Sequence, residues 1–205
     1  EPHTWTEVAV DYQTAECQFG VFLNGELKKD GKVYAVVTNI NTGKAEYLNI
    51  DEYASSSKAI LASCALPFMF KPVEIDGKKY LDGGCSNPLP VEFAFQSGCD
   101  KVIAVLTRER QYKKHKDGES SLSSVFFKKN KSFSDVLKNR SVVYNKSREF
   151  IFEKEKEGTA FVFAPENTRG WKRTEKNPDV IKAMYDEGYK DAFSRIDELK
   201  KFLNS

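Results

Sequence analysis

Val33–Ile40 reads VYAVVTNI, an apolar and β-branched run with few polar interruptions, and this pattern predicts a strand buried on both faces. The turn-forming NTGK stops it, and KAEYLNI follows as a second strand, so the two form a hairpin. Ser55–Pro67 (SSSKAILASCALP) changes period: Ser55 to Ser57 offer an N-cap, the middle is rich in Ala and Leu, and Pro67 ends the helix. Ala59, Ala62, Ser63 and Ala65 are small, which predicts a helix packed close to a neighbouring backbone. KPVEI, Asp76-Gly77 and KKYL spell a second hairpin around a strong type I′ turn pair, and its return strand ends on Asp82.

Further on, Val91–Ser97 is a short helix between Pro90 and Gly98, and KVIAVLT (Lys101–Thr107) is a strand apolar on both faces. A helix leading into such a strand is half of a parallel α/β unit. From Arg108 the chain turns polar, and a mobile loop is expected over residues 108–132, with one apolar knot at Val125-Phe126-Phe127. Helical spacing resumes from about Ser134 to Glu157, TAFVFAP is a strand, and an amphipathic helix closes the chain over about Pro178 to Leu203.

Composition narrows the function classes. A length of 205 residues is enough for one sizeable core or two very small ones. The 32 basic and 30 acidic residues nearly cancel, which argues against a nucleic-acid partner. No apolar run reaches the roughly 18–20 residues of a membrane-spanning helix. Two histidines, and four cysteines (Cys17, Cys64, Cys85, Cys99) without a C-x-x-C pair, are too few and too scattered for a zinc site. Cys64, inside an apolar helical run, is expected to be a buried free thiol, and the cysteines together suit a reducing, cytoplasmic setting. The chain opens EPHTWTEVAV with no initiator Met and no signal peptide, so a fragment of a longer protein is expected, with residues 1–30 unassigned.

Three routes to catalysis fail on the residues present. His3 lies near the chain start and His115 within KKHKDG, neither on a strand end, so a His-based triad is not supported. No Gly-x-Ser-x-Gly elbow occurs; Cys85 or Ser86 in GGCSNP only imitates one, because Pro88 and Pro90 delay the next helix. There is no phosphate-cradling glycine loop, and neither a cofactor nor a metal is expected. Asp82 in YLDGGCSNPLP remains, with two readings. It caps a loop in which Gly83 and Gly84 supply positive φ, or it is a base for a serine supplied elsewhere, the glycines letting the backbone approach closely.

The order of motifs from Ala62 onward adds a resemblance. Ala62-Ser63-Cys64-Ala65-Leu66-Pro67, the intervening hairpin, Asp82-Gly83-Gly84 and Asn87-Pro88 resemble the patatin-like phospholipases, acyl hydrolases with a Ser-Asp dyad. VVTNINTGKAEYL looks like a strand and turn of that family. The helix-then-strand stretch Leu137–Glu166 and the helix Lys176–Ala192 look like the tail of bacterial members. The resemblance implies a three-layer α/β/α fold on a largely parallel sheet, truncated so that the N-terminal strands and nucleophile elbow are absent. Residues 1–205 would then be the C-terminal portion of one patatin-like domain. Asp82 would be the dyad acid, supported by Gly83 and Gly84, in hydrolysis of a phospholipid or related acyl lipid. Partners implied are that lipid and the missing N-terminal half, without which the chain is expected to be inactive. Phe126-Phe127-Lys128-Lys129 and the basic run Arg108–Lys116 have two readings, a peripheral membrane contact or a solvated loop with a small local apolar contact. The alternative is a non-catalytic lipid-binding or scaffolding relative in which Asp82 is structural.

Overall fold

A computed structural model describes residues 32–50, 56–116, 118–171 and 175–205, with the backbone alone at 56–57 and 118–121. Before residue 32 it describes four two-residue strands, Val10–Asp11 paired with Glu16–Cys17 and Phe22–Leu23 paired with Glu26–Leu27. The serine side chains expected to cap the first helix lie outside the described residues. The chain divides into two compact units, Glu1–Pro88 with His115–Tyr144, and Leu89–Lys114 with Asn145–Ser205.

In the first unit, β1 (Tyr34–Asn39) and β2 (Ala45–Asn49) form the expected hairpin, and β3 (Val73–Ile75) and β4 (Lys78–Asp82) form the second. Asp76 and Gly77 have φ of 49° and 73°, the positive pair that a type I′ turn demands. The strands join in the order β2-β1-β4-β3, antiparallel at every pairing, with Val37 opposite Asp82 and Thr38 opposite Leu81. Short turns make the β1-β2 and β3-β4 pairs antiparallel, whereas the β1-β4 pair joins strands far apart in the chain.

Helix α1 (Ser56–Cys64) packs its small residues into this sheet. Ala59 and Ala62 are wholly buried among Ala35, Val37, Leu48, Ile75 and Tyr80, as their size predicts. Pro67 lies beyond the helix end, and Cys64 is exposed, not buried as its apolar context suggested. The helix face that carries Ala59 and Ala62 turns inward and leaves the thiol outside. A second cluster joins Ile40, Ala65, Leu81 and Cys85 to Phe133 and Leu137, which lie on the first half of a long helix, α4 (Lys131–Lys156; α2 and α3 are given below). Burying a side chain such as Leu81 stabilises by about 1.5–3 kcal/mol.

The segment read as a continuous polar loop contains a helix, α3 (Gly118–Phe126), ahead of α4. Leu122, Val125 and Phe126 stand at helical spacing for barely one turn of a Ser-rich stretch, too short a signal to mark the helix. In the second unit, α2 (Val91–Gln96) leads into β5 (Val102–Val105), which pairs parallel with β6 (Ala160–Phe163). This is the parallel pairing present among the described residues. The sheet of the first unit is antiparallel, so the largely parallel sheet that the resemblance implied is not what these residues form. The mixture of helices and strands is that of an α/β protein. Val91, Ala104, Leu106, Ile151 and Val162 make the core of this unit. Ile103 and Val105 are exposed, so β5 buries one face, not both as its composition predicted.

The closing helix is two helices, α5 (Pro178–Ser194) and α6 (Ile196–Asn204), broken at Arg195, whose φ of −107° and ψ of 11° leave the helical range. The Arg195 guanidinium lies over the rings of Phe161 and Phe163 and donates to the Val162 carbonyl at 2.9 Å. That anchorage on β6 coincides with the break, and neither a proline nor a glycine stands next to Arg195 to mark it. No described helix is long and apolar enough to cross a membrane.

Candidate functional site

Strand β4 delivers Asp82 to the edge of a short 3-10 helix, Gly83–Cys85. The Asp82 N–H donates to the Ala65 carbonyl at 2.9 Å, which ties the strand end to the segment following α1. One carboxylate oxygen, Oδ1, accepts from the Gly84 N–H at 2.7 Å and so caps the 3-10 turn. The other oxygen has no hydrogen-bond partner among the described residues, and the residue is half-buried.

The two glycines act differently from the loop-capping expectation. Neither has a positive φ. Gly83 is required by space: a Cβ there would stand 2.2 Å from the Val36 carbonyl oxygen and 2.5 Å from its carbon. Close approach of backbones, the other reading of the pair, is what the structure contains. A Cβ at Gly84 would lie 3.1 Å from the Asp82 carboxylate, crowding the capping oxygen.

Two residues that the sequence did not single out, Thr38 and Arg140, hold this turn together with Asn87 of the motif. Thr38, fully buried on β1, donates its hydroxyl to the Asp82 carbonyl at 2.8 Å and shares a 2.8 Å hydrogen bond with Ser86 Oγ. Arg140 on α4 donates Nε–H to the Gly84 carbonyl at 3.0 Å. Asn87 donates to the Tyr47 hydroxyl at 2.6 Å, fixing the chain as it leaves the turn. A polar residue inside the otherwise apolar VYAVVTNI was a sign for Thr38. Arg140, 56 positions along the chain from Gly84, carried none.

Beside this turn a shallow cleft of about 370 Å³ is lined by Gly43, Ser86, Ser132, Val136, Asn139 and Val143. On the neighbouring strands, burial pushes the Glu46 carboxyl up. Hydrogen bonds from Tyr80, Asn39 and Lys78, with the Lys78 charge, outweigh that and hold it below its ordinary value.

Cys85 is fully buried beside Leu81 and Phe133, the setting of an inert thiol and not of a nucleophile. His115 is exposed, and His3 lies outside the described residues. Among the described residues no group of three or more His, Cys, Asp or Glu could hold a metal ion.

Residues 22–95 match the family model of patatin-like phospholipase, so this part of the chain is patatin-like and points to a lipid hydrolase family. The match includes the helix end at Ala62–Pro67, the Asp82-Gly83-Gly84 turn and Asn87-Pro88. It stops short of the tail, where residues 130–204 match a second family model, described as Domain of unknown function (DUF6363).

Proposed function

We propose that Asp82 is the acid of a Ser-Asp dyad in a lipid acyl hydrolase, with the serine and the oxyanion donors contributed by polypeptide outside these 205 residues. The asymmetry of the carboxylate carries the reading: one oxygen is held by the Gly84 N–H, and the other accepts no hydrogen bond from the described residues. A serine hydroxyl needs a positioned base. The second oxygen takes the serine proton as the serine oxygen bonds to the ester carbonyl carbon. The adduct then collapses, its C–O bond to the alcohol breaks, and the alcohol leaves with that proton. Water repeats the sequence on the acyl-serine, giving its proton to Asp82, and the fatty acid is released. Gly83 serves by bringing the turn against β1, and Gly84 by presenting the N–H that orients the carboxylate. The substrate is a phospholipid or related acyl lipid, in keeping with the family match, and the setting is the reducing cytoplasm. By itself the chain hydrolyses no ester, because it lacks a Gly-x-Ser-x-Gly serine.

The hydrogen bond to Gly84 also favours a second reading, a non-catalytic lipid-binding or scaffolding relative in which Asp82 only caps the turn. Asp82→Asn separates the two in the parent protein. Asparagine keeps an oxygen for the Gly84 N–H and loses the base. The dyad requires p-nitrophenyl butyrate turnover to fall by about 10²–10⁴, the usual contribution of a general base, with the melting temperature little changed. Undiminished turnover in that variant discards the dyad.

A further inference from the structure

Helix α3 is built inside out. Ser123 is fully buried, its hydroxyl 3.4 Å from the Ser134 carbonyl and 3.3 Å from the Ser134 hydroxyl. Leu122, Val125 and Phe126 are instead 53%, 69% and 65% exposed. These three stand at helical spacing, so they share one face, and that face points to solvent. A neighbouring loop extends the same surface. Phe68 adopts a φ of 68°, an uncommon conformation for a bulky residue, and sets its ring edge-on to Phe126 at 5.3 Å and to Phe127 at 5.5 Å. Met69 and Phe70, next in the chain, are exposed as well. Phe127 is anchored in turn against the fully buried Phe133 at 4.7 Å, so the patch stands on the core of its unit.

Two segments that carry this apolar tip hold charges of one sign. The segments FMFK (Phe68–Lys71) and VFFKKNK (Val125–Lys131) carry Lys71, Lys128, Lys129 and Lys131, all exposed, and no acid. Exposed aromatic and aliphatic side chains with lysines next to them in the chain suit the boundary of a bilayer. There the rings enter the acyl region and the ammonium groups meet anionic headgroups. Elsewhere the basic and acidic residues of the chain nearly balance, so the local excess sets the orientation of docking.

We propose that Leu122, Val125 and Phe126, with Met69 and Phe70, form a docking surface for an anionic lipid bilayer, held by Lys71, Lys128, Lys129 and Lys131. This deepens the lipid-hydrolase reading and rests on it for its consequence, which is to bring the enzyme to aggregated substrate.

The test is co-sedimentation with phosphatidylcholine vesicles, with and without phosphatidylglycerol. The protein is expected to bind the anionic vesicles, and Lys128→Gln with Lys129→Gln to weaken the partition about thirtyfold, from the usual worth of two lysines near such a surface. Val125→Ser with Phe126→Ser removes binding with unchanged circular dichroism, whereas Lys200→Gln with Lys201→Gln leaves it intact. A Phe126→Trp variant gives a second readout, a blue-shifted emission quenched by brominated acyl chains. Three results overturn the proposal: no binding by the wild type, equal binding by the patch variants and the wild type, or a Phe126→Trp emission already blue-shifted in the parent protein before lipid is added. The last would mean that protein covers the patch. Turnover of a water-soluble ester by the parent protein reports on Asp82 alone, so a failed dyad and a failed docking surface are told apart.

Discussion

Replacing Gly83 with alanine adds one methyl group at the most crowded backbone contact of the site. The new Cβ would stand 2.2 Å from the Val36 carbonyl oxygen, more than 1 Å inside the 3.4 Å at which ordinary contact begins. Neither side can yield easily. Val36 is paired with Tyr47 across β1 and β2, and Asp82, just before Gly83, is paired with Val37. Overpacking of this kind costs about 1–3 kcal/mol, and main chain on one side with little freedom on the other places Gly83→Ala near about 3 kcal/mol. For a chain of this length that is a fall of roughly 6–12 °C in melting temperature. Gly77→Ala is the control. Gly77 has a φ of 73° with nothing within 4 Å of a built Cβ, so its substitution costs only the left-handed backbone strain, about 1 kcal/mol. Urea unfolding followed by circular dichroism compares the two. Equal midpoints for the two variants, or an unaltered midpoint for Gly83→Ala, would show that close approach to Val36 does not explain the glycine.

Thr38→Val removes the hydroxyl that serves the Asp82 carbonyl and Ser86, and should cost about 1–3 kcal/mol in urea unfolding because a buried acceptor loses its partner; a change near zero would contradict this. Tyr80→Phe deletes the 2.7 Å hydrogen bond to Glu46 and should cost about 1 kcal/mol at neutral pH. The folded pKa of Glu46 is depressed, so its stabilisation is present above the ordinary carboxylate pKa and is lost as pH falls through the folded value. The penalty of Tyr80→Phe should therefore shrink in acid, and an equal penalty at both pH values refutes the assignment.

Local chemistry made much of this protein legible in its sequence. Asp76-Gly77 specifies the second hairpin because its adjacent residues meet the φ requirements of a two-residue return, and the NTGK turn, with Gly43 at positive φ, specifies the first; such short returns are antiparallel. Small residues at Ala59 and Ala62 announced a buried helix face, and Asp82 could be placed at a strand end before two glycines. Tertiary structure decided what local pattern leaves open. Gly83 is needed for the backbone of Val36 and not for its own torsions, and Arg140 reaches Gly84 from a helix far along the chain. Ser123 turns inward while Phe126 turns out, Cys64 lies on the exposed side of its helix, and the last helix breaks where Arg195 meets β6. Periodicity reports which residues share a face, but the neighbour that occupies a face, and so whether it is buried, is set by packing between segments distant in the chain.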